Sequence, residues 1–191
     1  MRITGGQAKG RLLASLKGLY IRPSSGRVKE AVFNLIGQDI TGAKVLDLFA
    51  GTGSLGIEAL SRGALWALFI DNSQQSIKLI RKNLMLCGYE PLGFVLKRDL
   101  IRGLPWRHSL MKKKFDLVFI DPPYGKKFIL PILKELSDRE ILLSPSVVVA
   151  ETSRTDNLPS VLGKLELVKT RAYGETRINI YHYGDNTCRE M

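Results

Sequence analysis

Short apolar runs alternate with amphipathic segments along most of the chain. Between Arg27 and Ile36 the apolar positions recur at intervals of three and four residues, which predicts a helix that Gly37 ends. Lys44–Phe49 and Trp66–Asp71 are short, almost continuous apolar runs of the kind that form buried strands. Helical and strand signals therefore alternate from Arg27 onward.

The alternation continues until the C-terminal part, where it changes. We predict further helices over Ser54–Arg62, from the N-cap Ser73 to Gly88, and over Ile129–Leu136, and further strands over Phe94–Lys97, Phe115–Ile120 and Ser146–Glu151. Lys164–Arg171 and Arg177–Tyr183 then flank a turn and predict an antiparallel hairpin. Strands separated by helices form right-handed crossovers, so the pattern predicts an α/β fold with a mostly parallel, seven-stranded sheet and helices on both faces.

Composition agrees with one globular domain. The chain has 191 residues, of which 45% are apolar and 25% charged, and no apolar run approaches 18 residues, so we expect no membrane span. The first residues lack an apolar stretch, and Cys87 and Cys188 are the only cysteines, so we expect a protein of the reducing cytoplasm. His108 and His182 are isolated, and no metal site is predicted.

Positive charge is concentrated at the N-terminus. The chain carries 29 Lys and Arg against 18 Asp and Glu, a net charge of +11. Residues 1–29 contain no acidic side chain and these basic ones: Arg2, Lys9, Arg11, Lys17, Arg22, Arg27 and Lys29. We therefore divide the chain into a basic N-terminal arm with the first helix, residues 1–37, and a domain over residues 38–191. A basic arm on a nearly balanced body favours a nucleic acid partner over a merely solubilising tail.

A glycine-rich turn follows the first predicted strand. Gly51, Gly53 and Gly56 fit G-x-G-x-x-G between a strand and a helix, and Asp71 lies 20 residues beyond Gly51, where a ribose-binding carboxylate is expected. A dinucleotide is the first candidate ligand, but Asp47, four residues before the first glycine, would repel a pyrophosphate and attract a cation. S-adenosylmethionine has a ribose, an ammonium and a sulfonium and no phosphate, so we favour it.

The fourth predicted strand ends in Asp121-Pro122-Pro123-Tyr124. Two prolines fix an extended backbone and remove two N–H donors, which leaves the Asp121 carboxylate and the Pro122 carbonyl as acceptors beside an aromatic ring. An exocyclic amine of a nucleobase has two N–H groups for these acceptors and a base plane that can stack on Tyr124. Asp121 could then take the surplus proton. After the third strand, Asp99 is placed either to accept from an adenine amino group or to cap a helix.

These motifs together resemble a known family. DLFAGTGSLG followed by DPPY is similar to class I methyltransferases that use S-adenosylmethionine to modify exocyclic amino groups. With RPSSGRVKEAVFNLI, VVVAETS and YGETRINIY, the chain resembles the RsmD family, which methylates N2 of a guanine in bacterial small-subunit (16S) ribosomal RNA. The resemblance implies a Rossmann-like fold, S-adenosyl-L-methionine as cofactor, and 16S rRNA or a small-subunit assembly intermediate as partner of a cytoplasmic monomer.

The resemblance also assigns roles to individual positions. Asp121 to Tyr124 match the catalytic tetrad, and the cofactor contacts are expected at Asn34, Asp47, Phe49, Gly51, Gly53, Asp71, Asn72, Asp99 and Leu100. Candidate RNA contacts are Lys9, Arg11, Arg22, Ser24, Arg27, Lys126, Lys127 and Arg171. One departure is Gly26, which we expect at the N-cap of the first helix and where the family usually has an acid, so any role of that acid toward substrate is in doubt.

Three other interpretations stay open on the sequence alone. An adenine-N6 methyltransferase of DNA or RNA would share all of this chemistry. A dinucleotide-dependent oxidoreductase would use the same glycine turn, although no acid/base for hydride transfer is recognisable. A non-catalytic RNA chaperone on the same fold would tolerate the substitution Asp121→Ala.

Overall fold

The computed structural model describes residues 1–15, 24–123 and 128–184, with only the backbone of residues 24 and 25. The helices are α1 (Ser24–Ile36), α2 (Ser54–Ser61), α3 (Gln74–Cys87) and α4 (Ile129–Asp138). The strands are β1 (Lys44–Leu48), β2 (Trp66–Asp71), β3 (Gly93–Lys97), β4 (Phe115–Ile120), β5 (Leu142–Ser153), β6 (Val161–Leu162), β7 (Leu165–Tyr173) and β8 (Thr176–Tyr183). None of the helices in these ranges is long and apolar enough to cross a membrane.

All the strands form one sheet in the order β3-β2-β1-β4-β5-β8-β7-β6. The first five strands of the chain pair in parallel, and β8, β7 and β6 continue the sheet in antiparallel pairs. The predicted α/β fold is confirmed. The sheet has eight strands where the sequence predicts seven, because β6 has two residues and is too short to give a periodic signal.

Strand β5 begins earlier than predicted. It starts at Leu142, whereas the sequence predicts a start at Ser146. A proline such as Pro145 is unusual inside a strand, so the sequence gives no signal for the residues before Ser146. The register between β4 and β5 shifts between Phe115 and Leu117, and this irregularity takes up the residues around Pro145.

Successive residues of the central strands pack alternately into two hydrophobic cores, one on each face of the sheet. From β1, Val45 packs on one face of the sheet with α1, α2 and α3, whereas Leu46 and Leu48 pack on the other face with α4. The predicted helices on both faces are confirmed. Asp47 has the parity of Val45 and therefore points toward the face that α2 covers.

The N-terminal residues are packed as part of this structure. Arg2 and Leu12 form an antiparallel bridge, and Ile3, Ala8 and Leu13 are buried in the core on the α2 side. Residues 1–15 thus share the hydrophobic core of the sheet.

Two expectations for the basic arm and the first helix are wrong. Lys29 is 2% exposed, because its ammonium lies 2.6 Å from a carboxylate oxygen of Glu58 in the interior. It cannot contribute to a polyanion-binding surface. Gly26 is the third residue of α1, which begins at Ser24, and so it does not cap the helix.

Candidate active site

The carboxyl ends of β1, β2, β3 and β4 meet at one edge of the sheet. Backbone hydrogen bonds continue past the strands, from the N–H of Ala50 to the carbonyl of Ile70 (3.1 Å) and from the N–H of Asp121 to the carbonyl of Leu48 (3.5 Å). The glycine turn therefore lies between Asp71 on one side and the Asp-Pro-Pro segment on the other. This edge is where open α/β sheets bind their ligands.

The glycine turn needs its glycines for different reasons. Gly51 and Gly53 have φ values of 55° and 76°, in the left-handed region that favours glycine. Gly56 lies inside α2, where a Cβ would fall 2.8 Å from Cζ of the buried Phe69 ring and 3.1 Å from an Asp47 carboxyl oxygen. Gly56 thus allows the start of α2 to pack directly on β2.

All three glycine N–H groups of the turn are used within the protein. Gly51 donates to Oδ2 of Asp71 (2.9 Å), Gly53 to the carbonyl of Ala50 (2.6 Å) and Gly56 to Oδ2 of Asp47 (2.9 Å). A pyrophosphate on such a turn is bound by free backbone N–H groups at the start of the helix. The three glycine N–H groups are already paired within the protein, so they do not serve that purpose in this arrangement.

Asp71 holds the turn from the end of β2. Its carboxyl group is buried, and it accepts from the N–H of Gly51 through Oδ2 and from the N–H of Ser73 through Oδ1 (2.8 Å). Each carboxylate oxygen can accept more than one hydrogen bond, so Asp71 keeps capacity for hydroxyl donors. Ser73 is the N-cap of α3, as the sequence predicts, and its Oγ accepts from the N–H of Ser76.

Asp47 is beneath the turn and is 2% exposed. Burial raises its pKa to about 8, the charge of Asp71 adds to the increase, and the hydrogen bond from Gly56 opposes it. At neutral pH the carboxyl group is therefore largely protonated. A protonated Asp47 neither repels a pyrophosphate nor attracts a cation, so the expectation from the sequence is wrong on this point.

Two aromatic rings connect the glycine turn with the segment after the Asp-Pro-Pro motif. Phe49 has φ 57°, an uncommon conformation for an aromatic residue, and its ring stacks on that of Phe128 with centroids 5.9 Å apart and planes 16° from parallel. Phe128 directly precedes α4. We expected Phe49 among the cofactor contacts, and the structure also gives it this packing role.

The Asp-Pro-Pro segment lies at the open end of β4. The side chain of Asp121 is exposed, Pro122 is buried and Pro123 is exposed. Because Asp121 is exposed beside the end of β1, its carboxylate is accessible to the amine of a nucleobase, as the sequence-based prediction requires. Tyr124, Lys126 and Lys127 lie outside the described residues.

Of the other expected cofactor residues, Asn72, Asp99 and Leu100 follow the ends of β2 and β3 at the same edge, and Asn34 does not. Asp99 caps the short 3-10 helix Leu100–Arg102 by accepting from the N–H of Ile101 (3.1 Å), which is the helix-capping alternative that the sequence left open. The side chain of Leu100 belongs to the core on the α4 side, and Asn72 is exposed beside Asp71. Asn34 is exposed near the C-terminal end of α1, where its Oδ1 accepts from the side chain of Gln38 (3.1 Å). This end of α1 lies by the starts of β1, β4 and β5, so the structure does not bring Asn34 to the edge that carries the glycine turn.

The expected RNA contacts divide into three groups. Lys9, Arg11, Arg27 and Arg171 are exposed on the described surface. The guanidinium groups of Arg11 and Arg171 also donate to the carbonyls of Leu86 and Thr170. Arg22 lies outside the described residues, and of Ser24 only the backbone is described.

Sequence analysis missed one residue that supports the glycine turn. Asn83 of α3 is fully buried; its Oδ1 accepts from the N–H of Ala14 (2.7 Å), and its Nδ2 donates to the carbonyls of Ala14 (3.1 Å) and Thr52 (2.9 Å). It joins the N-terminal segment to the turn. A signal was present, because Asn83 is a polar residue three positions after Ile80 on the apolar face of α3.

Known proteins match this chain over nearly its whole length. A family model described as "Conserved hypothetical protein 95" matches residues 1–182. A Bacillus subtilis protein named "Putative rRNA methyltransferase YlbH" is 36% identical over 183 residues, 95% of this chain and 98% of its own. The Escherichia coli K12 "Ribosomal RNA small subunit methyltransferase D" is 31% identical over 189 residues, 95% of this chain and 89% of its own.

A solved structure agrees in fold over the same length. The "Putative methyltransferase yhhF from Escherichia coli" superposes with a TM-score of 0.80 at 29% identity and covers 96% of this chain and 98% of its own. The fold is that of class I methyltransferases. With the family model matching nearly the whole length, the chain belongs to the RsmD family, "Conserved hypothetical protein 95".

Proposed function

We propose that this protein transfers a methyl group from S-adenosylmethionine to the exocyclic N2 of a guanine in 16S ribosomal RNA. The observation that carries the proposal is the meeting of an exposed Asp121 and the glycine turn at one sheet edge, within a chain that matches a small-subunit rRNA methyltransferase over 95% of its length. The two halves of the reaction, methyl donor and base amine, then have adjacent sites.

The residues in and around the glycine turn suit S-adenosylmethionine. Asp71 is placed to accept from the ribose hydroxyls, Gly51 and Gly53 allow close approach of the methionine part, and Asp99 and Asn72 lie along the same edge for the adenosine part. When bound, S-adenosylmethionine supplies an electrophilic methyl group on sulfur.

The Asp-Pro-Pro corner acts on the base. The Asp121 carboxylate and the Pro122 carbonyl accept the two N–H groups of the guanine amine, which orients the nitrogen lone pair and stabilises the positive charge that develops on it. Asp121 then takes the surplus proton, directly or through water. Tyr124, by the family resemblance, stacks on the base after it leaves its helix.

The RNA is recognised mainly by its shape and its phosphates. The exposed basic residues Lys9, Arg11, Arg27 and Arg171 are candidate phosphate contacts, together with Arg22, Ser24, Lys126 and Lys127 outside the described side chains. Phosphate contacts make affinity fall with salt. We expect a cytoplasmic monomer that acts on the rRNA or on a partly assembled small subunit.

The deciding experiment uses small-subunit particles that lack the modification. The protein is incubated with these particles and isotopically labelled S-adenosylmethionine, and the rRNA is digested for nucleoside mass spectrometry. We expect the label in N2-methylguanosine. Label in N6-methyladenosine would overturn the base assignment in favour of the adenine-N6 alternative, and no label in RNA would overturn the substrate class.

A pair of variants tests the role of Asp121. Asp121→Asn keeps an oxygen acceptor but cannot take a proton, so we expect turnover to fall at least about 100-fold with unchanged S-adenosylmethionine affinity. Asp138→Asn, an exposed acid at the end of α4, is the matched control and should keep full turnover. Equal activity of both variants would contradict the role of Asp121.

A further inference from the structure

Several stretches of the chain carry basic residues and no acidic residue, and two of them lie next to each other in the fold. Residues 1–15 contain Arg2, Lys9 and Arg11, and residues 72–89 contain Lys78, Arg81 and Lys82. The second stretch includes the whole of α3, and sequence analysis did not single it out. Helix α4, by contrast, mixes the two signs, with Lys134 beside Glu135 and Asp138.

The structure docks these two stretches on each other. The guanidinium of Arg11 donates to the carbonyl of Leu86 at the end of α3, and the backbone of Ala14 pairs with the side chain of Asn83. Residues 1–15 also share the core beneath α3. The basic residue that this docking brings to the helix and the three on the helix itself form what we call the α3 face: Arg11, Lys78, Arg81 and Lys82.

The α3 part of this face is exposed and lacks charge partners. Lys78, Arg81 and Lys82 lie on the solvent side of the helix, and none of the ion pairs among residues 1–15, 24–123 and 128–184 involves them. Spacings of three and four residues put these like charges next to each other, where they repel. Within the described residues no carboxylate offsets this repulsion, and the phosphates of a bound nucleic acid would offset it.

One end of the α3 face lies next to the candidate active site. Helix α3 begins at Gln74, three residues after Asp71, and rises about 1.5 Å per residue. Lys78 is therefore about 6 Å along the axis from the helix start, and Lys82 about 12 Å. Helix α3 leads from the end of β2 back to the start of β3, so Lys78 lies nearest the site, and a strand bound to the helix would pass Arg81 and Lys82 farther from it.

We propose that the α3 face binds the phosphate backbone of the rRNA segment that flanks the target guanine. This proposal rests on the proposed function for its choice of RNA. Lys78, Arg81 and Lys82 are the contacts that distinguish it from the residues expected from the sequence. If these side chains contact phosphates, their removal should weaken the salt dependence of RNA binding, and removal of basic residues away from the RNA should not.

The test compares two triple variants of equal charge. One is Lys78→Gln/Arg81→Gln/Lys82→Gln; the control, Lys112→Gln/Lys134→Gln/Lys164→Gln, removes three exposed lysines elsewhere. Binding to a fragment of unmodified 16S rRNA is measured between 50 and 300 mM KCl, together with methylation at saturating substrate. Each lost contact should lower the slope of log K against log salt by about 0.7 to 0.9, so the α3 variant should lose about two to three units.

We expect the α3 variant to bind the fragment about 10- to 100-fold more weakly at 100 mM KCl, while the control stays within about twofold of the unmodified protein. Circular dichroism of both variants monitors folding. An unchanged slope and affinity in the α3 variant would overturn the α3 face and leave the proposed methylation intact. Weaker action on assembled particles with unchanged binding to the fragment would also overturn it and indicate a protein contact.

The two proposals fail in different ways. If the unmodified protein methylates no RNA, the proposed function fails, and the binding slopes of the two variants still decide whether the face contacts RNA. If methylation at saturating substrate survives in the α3 variant with a higher KM for RNA, both proposals stand.

Discussion

At the scale of single residues, Gly56 shows why the glycine turn cannot vary freely. Its Cβ position is filled by the ring of Phe69, which is fully buried on β2 and cannot move aside without disturbing the core. The third glycine of the motif is thus a packing requirement between helix and strand, separate from the positive φ values of Gly51 and Gly53.

The substitution Gly56→Ala should therefore destabilise the protein. We expect a loss of about 1–3 kcal/mol in the free energy of unfolding, together with weaker S-adenosylmethionine binding, because the start of α2 must move. Gly26→Ala is the matched control: Gly26 is also helical but has open space around its Cβ position, so the change should stabilise by up to about 1 kcal/mol. Urea unfolding and calorimetry check both, and equal stability of the two variants would contradict the packing argument.

The buried carboxyl group of Asp47 makes stability depend on pH. Its pKa of about 8 in the folded protein exceeds the ordinary value of 3.8, so the folded state binds the proton more tightly than the unfolded state. This contribution is complete below pH 4, is lost as the pH rises toward 8 at up to about 1.4 kcal/mol per unit, and is absent above that.

Asp47→Asn keeps an oxygen acceptor for Gly56 and removes the titration. We expect its free energy of unfolding to change less between pH 5 and pH 8 than that of the unmodified protein. Parallel urea titrations at several pH values measure the difference. Parallel curves for the two proteins would show that Asp47 does not titrate in this range.

Much of the site could be read from the sequence, and the exceptions have physical reasons. The positions of the glycine turn, Asp71 and the Asp-Pro-Pro segment follow from strand ends, because parallel strands bring these ends to one edge. The burial of Asp47 and of Lys29 could not be predicted, since it depends on which helix covers each side chain. A charged residue in a single sequence gives no sign of its partner.

At the scale of elements, one buried carboxylate joins three segments. Glu58 of α2 is completely buried and contacts Lys29 of α1 (2.6 Å), Arg62 (2.9 Å), and the N–H groups of Thr4 (2.9 Å) and Gly5 (2.7 Å). Burial acts to raise the pKa of Glu58, but the hydrogen bond and charge of Lys29 and the donors of Thr4 outweigh it and lower the pKa.

Removing this charge should be costly. Glu58→Gln leaves the ammonium of Lys29 buried without a carboxylate, and we expect a loss of about 3–5 kcal/mol in the free energy of unfolding. Glu175→Gln, at the exposed turn between β7 and β8, is the control and should change stability by less than about 0.5 kcal/mol. The double variant Lys29→Met/Glu58→Gln should recover part of the loss; no recovery would mean that the unpaired ammonium is not the cause.

At the scale of the whole molecule, the first residues belong to the folded core. The sequence suggests a basic arm appended to a domain, because charge dominates its composition. The apolar residues Ile3 and Leu13 within that arm are nevertheless 1% and 5% exposed. Sparse apolar residues in a basic segment carry no periodic signal, so their burial became visible only with the fold.

Two leucine-sized side chains on this segment test its contribution to global stability. Ile3→Ala should lower the free energy of unfolding by about 2–5 kcal/mol, whereas Leu12→Ala, at 61% exposure, should have little effect. Thermal unfolding followed by circular dichroism checks both in one cooperative transition. If Ile3→Ala leaves that transition unchanged, the segment unfolds independently of the sheet.

The amide of Asn83 has one more consequence, because it serves two regions at once. It binds the backbone of Ala14 and the carbonyl of Thr52, so we expect a cofactor that holds the turn in place also to hold Ala14 more firmly against α3. Linkage is reciprocal, and whatever factor tightens one equilibrium tightens the other. Saturation with S-adenosylmethionine should therefore slow deuterium uptake at the Ala14 amide, and Asn83→Ala should abolish that effect.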